Sequence, residues 1–220
     1  MKAFLVNYNF TPTWLLDSGL DYQISDRSDS KEYLKDFPQE RIIYEENIGQ
    51  VDYPKLNYLV DNYDNLPEVF MWGKTNLFKN DFTPEIHVSP HIYMTKEEYD
   101  KVKDNQFFTP LLTQHHKVYA DKLGVVCYYE DGMYYERNPL IFLANNGAKF
   151  FNSYGEFAKA FGFPNPPYIP FAPGGNYILT KETVHKYSRD LYAKMASLLP
   201  YCSAPLEAHF CERVYYTLWK

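Results

Sequence analysis

Four short apolar runs near the start of the chain, each set off by turn chemistry or a short amphipathic stretch, constrain its fold more than any other feature. Residues 2–8 (KAFLVNY), 21–25 (DYQIS) and 41–46 (RIIYEE) read as strands, and 68–73 (EVFMWG) as a buried fourth strand. Between the first two, residues 11–19 read as a short helix with Thr11 as N-cap and Pro12 at the first helical position. Between the third and fourth, Leu56, Leu59, Val60 and Tyr63 recur at the spacing of one helical face. Strands separated by helices imply a mostly parallel sheet flanked by helices, which binds ligands beyond the carboxyl ends of its strands. The expected fold class is therefore α/β, a Rossmann-like sheet in a single domain over residues 1–220.

The second half continues the pattern. Thr95-Lys96-Glu97-Glu98 is a capping box opening a helix to about Asp104. Residues 124–129 and 139–144 read as strands and 153–162 as a short helix. A run carrying Pro166, Pro167, Pro170 and Pro173 forbids helix and leads into a strand over 176–180. A long helix is expected after Thr180, with Val184, Tyr187, Leu191, Met195 and Leu198 on one face, and a last helix from about Pro205 to Leu218.

Composition narrows the function classes. With 22 basic and 28 acidic side chains the formal charge is −6, which argues against nucleic acid as a partner. Cys127, Cys202 and Cys211 show no metal spacing and fit a reducing compartment. The opening apolar run breaks at Asn7, too short for a signal peptide or a membrane span, so a cytoplasmic location is expected. The chain is 19% aromatic, with 22 Tyr and 16 Phe; most such rings fill core, but the content also suits sugar recognition.

The ends of the expected strands carry the chemistry. The first ends Val6-Asn7-Tyr8-Asn9, and the second ends in Asp26 followed by Arg27, Ser28 and Asp29. The third ends Glu46-Asn47-Ile48-Gly49, followed by the helix carrying Lys55 and Asn57. In this order they resemble the nucleotide-binding half of inverting family 2 glycosyltransferases and their relatives of the GT-A fold. The match covers about the first 80 residues, leaving 81–220 as the donor-sugar and acceptor half. The resemblance implies a uridine-nucleotide site with Asn7, Tyr8, Asp26, Arg27, Lys55, Trp72, Gly73 and Lys74. Tyr8 would lie against the uracil, whose ring N3–H a carboxylate such as Asp26 suits.

At the end of the fourth strand the family keeps an acidic Asp-x-Asp signature that holds a divalent metal on the diphosphate. Here the residues are Trp72-Gly73-Lys74, with no carboxylate. Either Lys74 supplies the positive charge, or Mn²⁺ (or Mg²⁺) is held by Thr75, Asn76 or Asp81 with His209. Pro173, Gly174, Gly175 and Asn176 resemble the glycine turn by which such enzymes approach the donor sugar.

Inverting transfer needs a carboxylate to take the proton of the acceptor hydroxyl. On the last helix Glu207 is the expected base and Glu212 the reserve. Because a helix turns about 100° per residue, Glu207 and His209 point apart, while His209 shares a side with Glu212 and Tyr216. The remaining histidines, His87, His91, His115, His116 and His185, have no ligand-like arrangement.

The expected activity is transfer of a hexose or deoxyhexose from a UDP-sugar, of the UDP-glucose or UDP-rhamnose type, to a glycan or glycoprotein acceptor. Two alternatives are a sugar-nucleotide nucleotidyltransferase, disfavoured because Asn9-Phe10-Thr11-Pro12 has no glycine to wrap a triphosphate, and a non-catalytic carbohydrate-binding module. The whole chain is also similar to the N-terminal glycosyltransferase domain of a large multidomain protein of chlorella viruses. That resemblance implies capsid-glycan synthesis in the host cytoplasm.

Overall fold

The computed structural model describes residues 1–78, 94–112, 126–138 and 149–220. Asp81, His87, His91, His115, His116 and the expected strand over 139–144 lie outside the described residues.

The four apolar runs form β1 (Lys2–Asn7), β2 (Asp21–Asp26), β3 (Ile42–Tyr44) and β4 (Val69–Lys74). They are joined by β5 (Thr109–Pro110), β6 (Cys127–Glu130), β7 (Met133–Arg137), β8 (Tyr168–Pro170) and β9 (Tyr177–Thr180). The helices are α1 (Asp52–Asp61), α2 (Lys96–Asp100), α3 (Tyr154–Phe161), α4 (Lys181–His185), α5 (Arg189–Ser197) and α6 (Leu206–Trp219). The fold is mixed α/β in a single domain, and no helix among the described residues is long and apolar enough to cross a membrane.

The main sheet has the order β3-β2-β1-β4-β9-β5; its first four strands are parallel, and β9 runs antiparallel to β4. Both halves of the chain therefore share one sheet. Strand alternation divides the core. Phe4, Val6, Phe70, Trp72, Tyr177 and Leu179 face α1, α5 and α6, while Ala3, Leu5, Met71 and Ile178 face the side carrying Leu15, Leu34 and Tyr99. A second sheet, β6-β7-β8, is antiparallel and begins with a hairpin whose Asp131 and Gly132 take φ of 49° and 73°. That two-residue Asp-Gly turn matches the right-handed twist of its strands.

Two expected helices are corrected. Residues 11–19 give only a 3₁₀ turn, Thr13–Leu15, because Pro12 at ψ 70° does not enter helix and no side chain caps the turn. The long helix after Thr180 breaks into α4 and α5 at Ser188, an extended residue whose hydroxyl accepts from Leu191 N–H and restarts the helix. The capping box at Thr95 and Glu98 forms as read.

Candidate functional site

In the order β3-β2-β1-β4 the direction of winding reverses between β1 and β4, the crevice where such sheets take a ligand at their carboxyl ends. Asn7 ends β1 there and is fully buried. Its Nδ2 donates to Asp26 Oδ1 at 3.0 Å and Ser28 Oγ at 3.1 Å, and its Oδ1 accepts from the Thr75 hydroxyl. One asparagine thus ties the ends of β1, β2 and β4. Asn9, at φ 50°, exchanges two hydrogen bonds with Asp29, tying the turns that follow β1 and β2.

Tyr8 stands free of this lattice at 49% exposure. Asp26 is buried, with Oδ1 also accepting from Ser28 Oγ at 2.6 Å; among the described residues no hydrogen bond reaches its Oδ2. Arg27, expected at the nucleotide, is instead buried with its guanidinium donating to the carbonyls of Glu46, Ile48 and Gln50. It pins the loop between β3 and α1 and is already occupied.

Beside the crevice, charged groups converge on the buried turn Pro173-Gly174-Gly175-Asn176. Lys55, fully buried, donates to the Gly175 carbonyl and lies 3.9 Å over the Trp72 ring, while the Trp72 indole donates to the Lys55 carbonyl at 2.9 Å. Gly175 sits at φ +62°, and a Cβ there would come 2.7 Å from the Lys55 ammonium, so only glycine fits. Gly73 likewise makes room for the Asn176 side chain, whose Oδ1 accepts from Lys74 N–H at 2.8 Å. The Asn176 Nδ2 is buried without a hydrogen-bond partner among the described residues.

From the other side, Glu212 accepts from Gly174 N–H and pairs with Arg213 at 2.8 Å; Arg213 also pairs with Glu136 at 3.1 Å, both buried. Asp52, buried at the start of α1, accepts from the Tyr215 hydroxyl at 2.9 Å. Burial raises the Asp52 pKa against the pull of Lys55, and lowers that of Lys55 against the pull of Asp52. Burial alone would raise Glu212, but Arg213, Lys74, His209 and the Gly174 N–H outweigh it and hold the carboxyl at about 2. Buried charge in this density costs stability and makes the cluster a candidate functional site.

Two expected roles are corrected on α6. Glu207, fully buried, accepts from the N–H groups of Lys149, Phe150 and Phe151 at 3.0, 2.7 and 3.4 Å and from the Tyr201 hydroxyl. It braces a loop and has no oxygen left for a substrate. Glu212, 15% exposed, faces the site but is a weak base at its depressed pKa.

His209 is half-buried, with its Nε2 3.5 Å from Gln50 Nε2. Burial and then the Arg213 charge push its pKa down to about 4, against Glu212. The fold therefore favours neutral imidazole. Its contribution to stability is full above the ordinary value of 6.5 and drains as pH falls from there toward about 4. Between pH ~7 and ~4.5 this group is expected to remove about 2 kcal/mol, and His209→Gln to flatten that part of the slope, in urea unfolding at each pH.

Of the expected metal ligands, Asp81 lies outside the described residues and Thr75 is engaged elsewhere. The Thr75 hydroxyl donates to Asn7, its carbonyl accepts from the Trp14 indole at 2.7 Å, and the residue is buried. Asn76 is half-buried beside it. No group of three or more His, Cys, Asp or Glu among the described residues is arranged to hold a metal. His185, the one remaining described histidine, stacks on Tyr63 away from the crevice.

Sequence reasoning passed over Asp52, Glu136 and Arg213. Their signal was weak: an acid in the first turn of a helix and an Arg beside Glu212 are both ordinary on a surface. A cavity of about 660 Å³, lined by Met1, Trp14, Gly19, Phe78 and Tyr99 among others, lies at the amino ends of β1 and β2, away from this chemistry. The family model described as "Protein of unknown function (DUF3431)" matches residues 9–220. No curated protein and no solved structure matches the chain.

Proposed function

We propose that this chain, which belongs to the DUF3431 family of unknown function, is a glycosyltransferase of GT-A type that binds a UDP-sugar at the β1/β4 crevice and transfers its sugar to a glycan. The observation that carries the reading is the exposed Tyr8 just past the end of β1 and, on the neighbouring strand, Lys74 at the end of β4, whose N–H meets Asn176 of the turn on which buried charges converge. Tyr8 covers the uracil face, and Asp26 Oδ2 accepts the ring N3–H. Lys74, half-buried beside Glu212 and His209, meets the diphosphate and offsets the charge that develops on the leaving group. No step is routed through a metal.

The acceptor hydroxyl must lose a proton during transfer. Glu207 is sealed by four hydrogen bonds; Glu212, whose carboxyl Arg213 holds low, and the half-buried His209 share the other side of α6, and one of them takes it. The glycine turn is held rigid by Lys55 and Glu212, which suits a backbone that must approach a sugar closely.

Calorimetric titration with UDP, CMP and GDP, in chelator and in Mn²⁺, tests this. UDP is expected to bind in both and the other two to bind weakly. Lys74→Ala should weaken UDP by roughly tenfold or more, the size of a charge-assisted phosphate contact. Equal affinity for all three nucleotides removes the role of Asp26, and no binding of any nucleotide removes the proposal.

A further inference from the structure

We infer that Gln50 is a positioning residue that holds the His209 ring as a hydrogen-bond donor to a ligand in the crevice. Gln50 has φ 52°, a left-handed backbone that a residue with a Cβ takes only under strain, and such strain persists where the surroundings over-determine it. Here they do. The Gln50 N–H donates to the Ser203 carbonyl at 3.0 Å, and its own carbonyl accepts from Arg27. The Gly49 N–H donates to the Cys202 carbonyl at 2.7 Å. The loop between β3 and α1 is thereby fixed to the turn after β2 and to the segment before α6. Gly49 is left-handed as well, at φ +70°, and a Cβ there would come 2.5 Å from the Tyr53 Cβ, so that position needs glycine. At position 50 glycine would relieve the strain, yet the chain carries a glutamine whose amide reaches α6.

The amide meets His209, with its Nε2 3.5 Å from the ring Nε2. Hydrogen bonds at such sites are often long before a ligand arrives. An amide nitrogen only donates, so the ring nitrogen facing it carries the lone pair, and a neutral ring then carries its hydrogen on Nδ1. Burial, then Arg213 and Lys74, disfavour the imidazolium against the pull of Glu212. The His209 Nδ1 makes no hydrogen bond to a described residue and is not sealed from solvent.

A neutral ring N–H within reach of the Lys74 charge suits an oxygen that gains negative charge, because it donates without adding a second cation. In the transferase reading that oxygen belongs to the diphosphate, and with its Nε2 lone pair engaged His209 leaves the acceptor's proton to Glu212. Those two assignments rest on the transferase reading above; the state of the ring does not.

The test is the ring nitrogen spectrum of the protein labelled with nitrogen-15 histidine, at pH ~8, where an ordinary imidazole is neutral. His209→Gln identifies the resonances. The expected ring carries hydrogen on Nδ1 and none on Nε2. Gln50→Glu, whose carboxylate only accepts, should move the hydrogen to Nε2. Gln50→Gly should keep or raise the urea midpoint, lose the preference for Nδ1–H, and weaken UDP by roughly threefold to tenfold. A residue that only shapes the turn would leave the ring spectrum as it was. If Gln50→Gly does not fold, the wild-type and Gln50→Glu spectra decide. Hydrogen on Nε2 in the wild type, or an unchanged spectrum in a folded Gln50→Gly, overturns the inference. The expected ring without UDP binding sinks the transferase and leaves the positioning role; UDP binding with hydrogen on Nε2 does the reverse.

Discussion

Replacing Glu207 by alanine is expected to cost about 3–5 kcal/mol of folding stability, read from the urea midpoint. The carboxylate is fully buried and accepts from three consecutive N–H groups, Lys149, Phe150 and Phe151, and from the Tyr201 hydroxyl. Alanine leaves those donors without their acceptor at a side-chain position that is fully buried, and an orphaned buried donor costs about 1–3 kcal/mol. Glu207→Gln keeps one carbonyl oxygen for the N–H groups and should cost about 1–2 kcal/mol. A purely catalytic carboxylate behaves differently, since its loss removes turnover and leaves the midpoint in place. An unchanged midpoint in Glu207→Ala would restore Glu207 as a candidate base.

Arg213→Met is the second large effect, about 3–5 kcal/mol of destabilisation at neutral pH. The guanidinium is 4% exposed and pairs with Glu136 and Glu212, of which Glu136 is 3% exposed. Removing it leaves the Glu136 carboxylate buried without its counter-charge. Burial already raises the Glu136 pKa, and Arg213 opposes that rise. In the variant the folded protein therefore holds a proton on Glu136 that the unfolded chain releases, so its stability improves as pH falls through the raised value. The deficit relative to wild type should shrink as pH falls toward the ordinary carboxylate range, and Arg213→Met/Glu136→Gln should recover most of it. A deficit independent of pH, with no recovery in the double variant, would show that Arg213 acts through packing alone.

The contrast between these two glutamates marks what the sequence could express. Short continuous apolar runs such as Phe4-Leu5-Val6 and Phe70-Met71-Trp72 are local signals, and the strands they name lie within a residue or two of their expected ends. Capping boxes are local as well, and Thr95 behaves as read. Helix geometry on α6 separates Glu207 from His209 and groups His209 with Glu212, but cannot say which side meets solvent. That depends on where residues 149–151 pass, a tertiary fact that turns Glu207 into an anchor.

Arg27 failed for the same reason. A guanidinium next to an expected nucleotide site suits a phosphate, yet the carbonyls of Glu46, Ile48 and Gln50 take it first. The apolar spacing across Val184 to Leu198 looked continuous because both pieces pack on one core, and the break at Ser188 lies in backbone angles that spacing does not record. The hairpin at Asp131-Gly132 and its second strand, Met133–Arg137, were passed over although the dipeptide is a local turn signal.

The crevice between β1 and β4 is the proposed nucleotide site, and a crystal structure of the protein soaked with UDP addresses it directly. The predicted result is a uracil ring against Tyr8 with its N3 within hydrogen-bond distance of Asp26 Oδ2, and phosphates beside Lys74. UDP bound elsewhere, for example in the cavity beside Trp14 and Tyr99, with Tyr8 and Lys74 untouched, would contradict it.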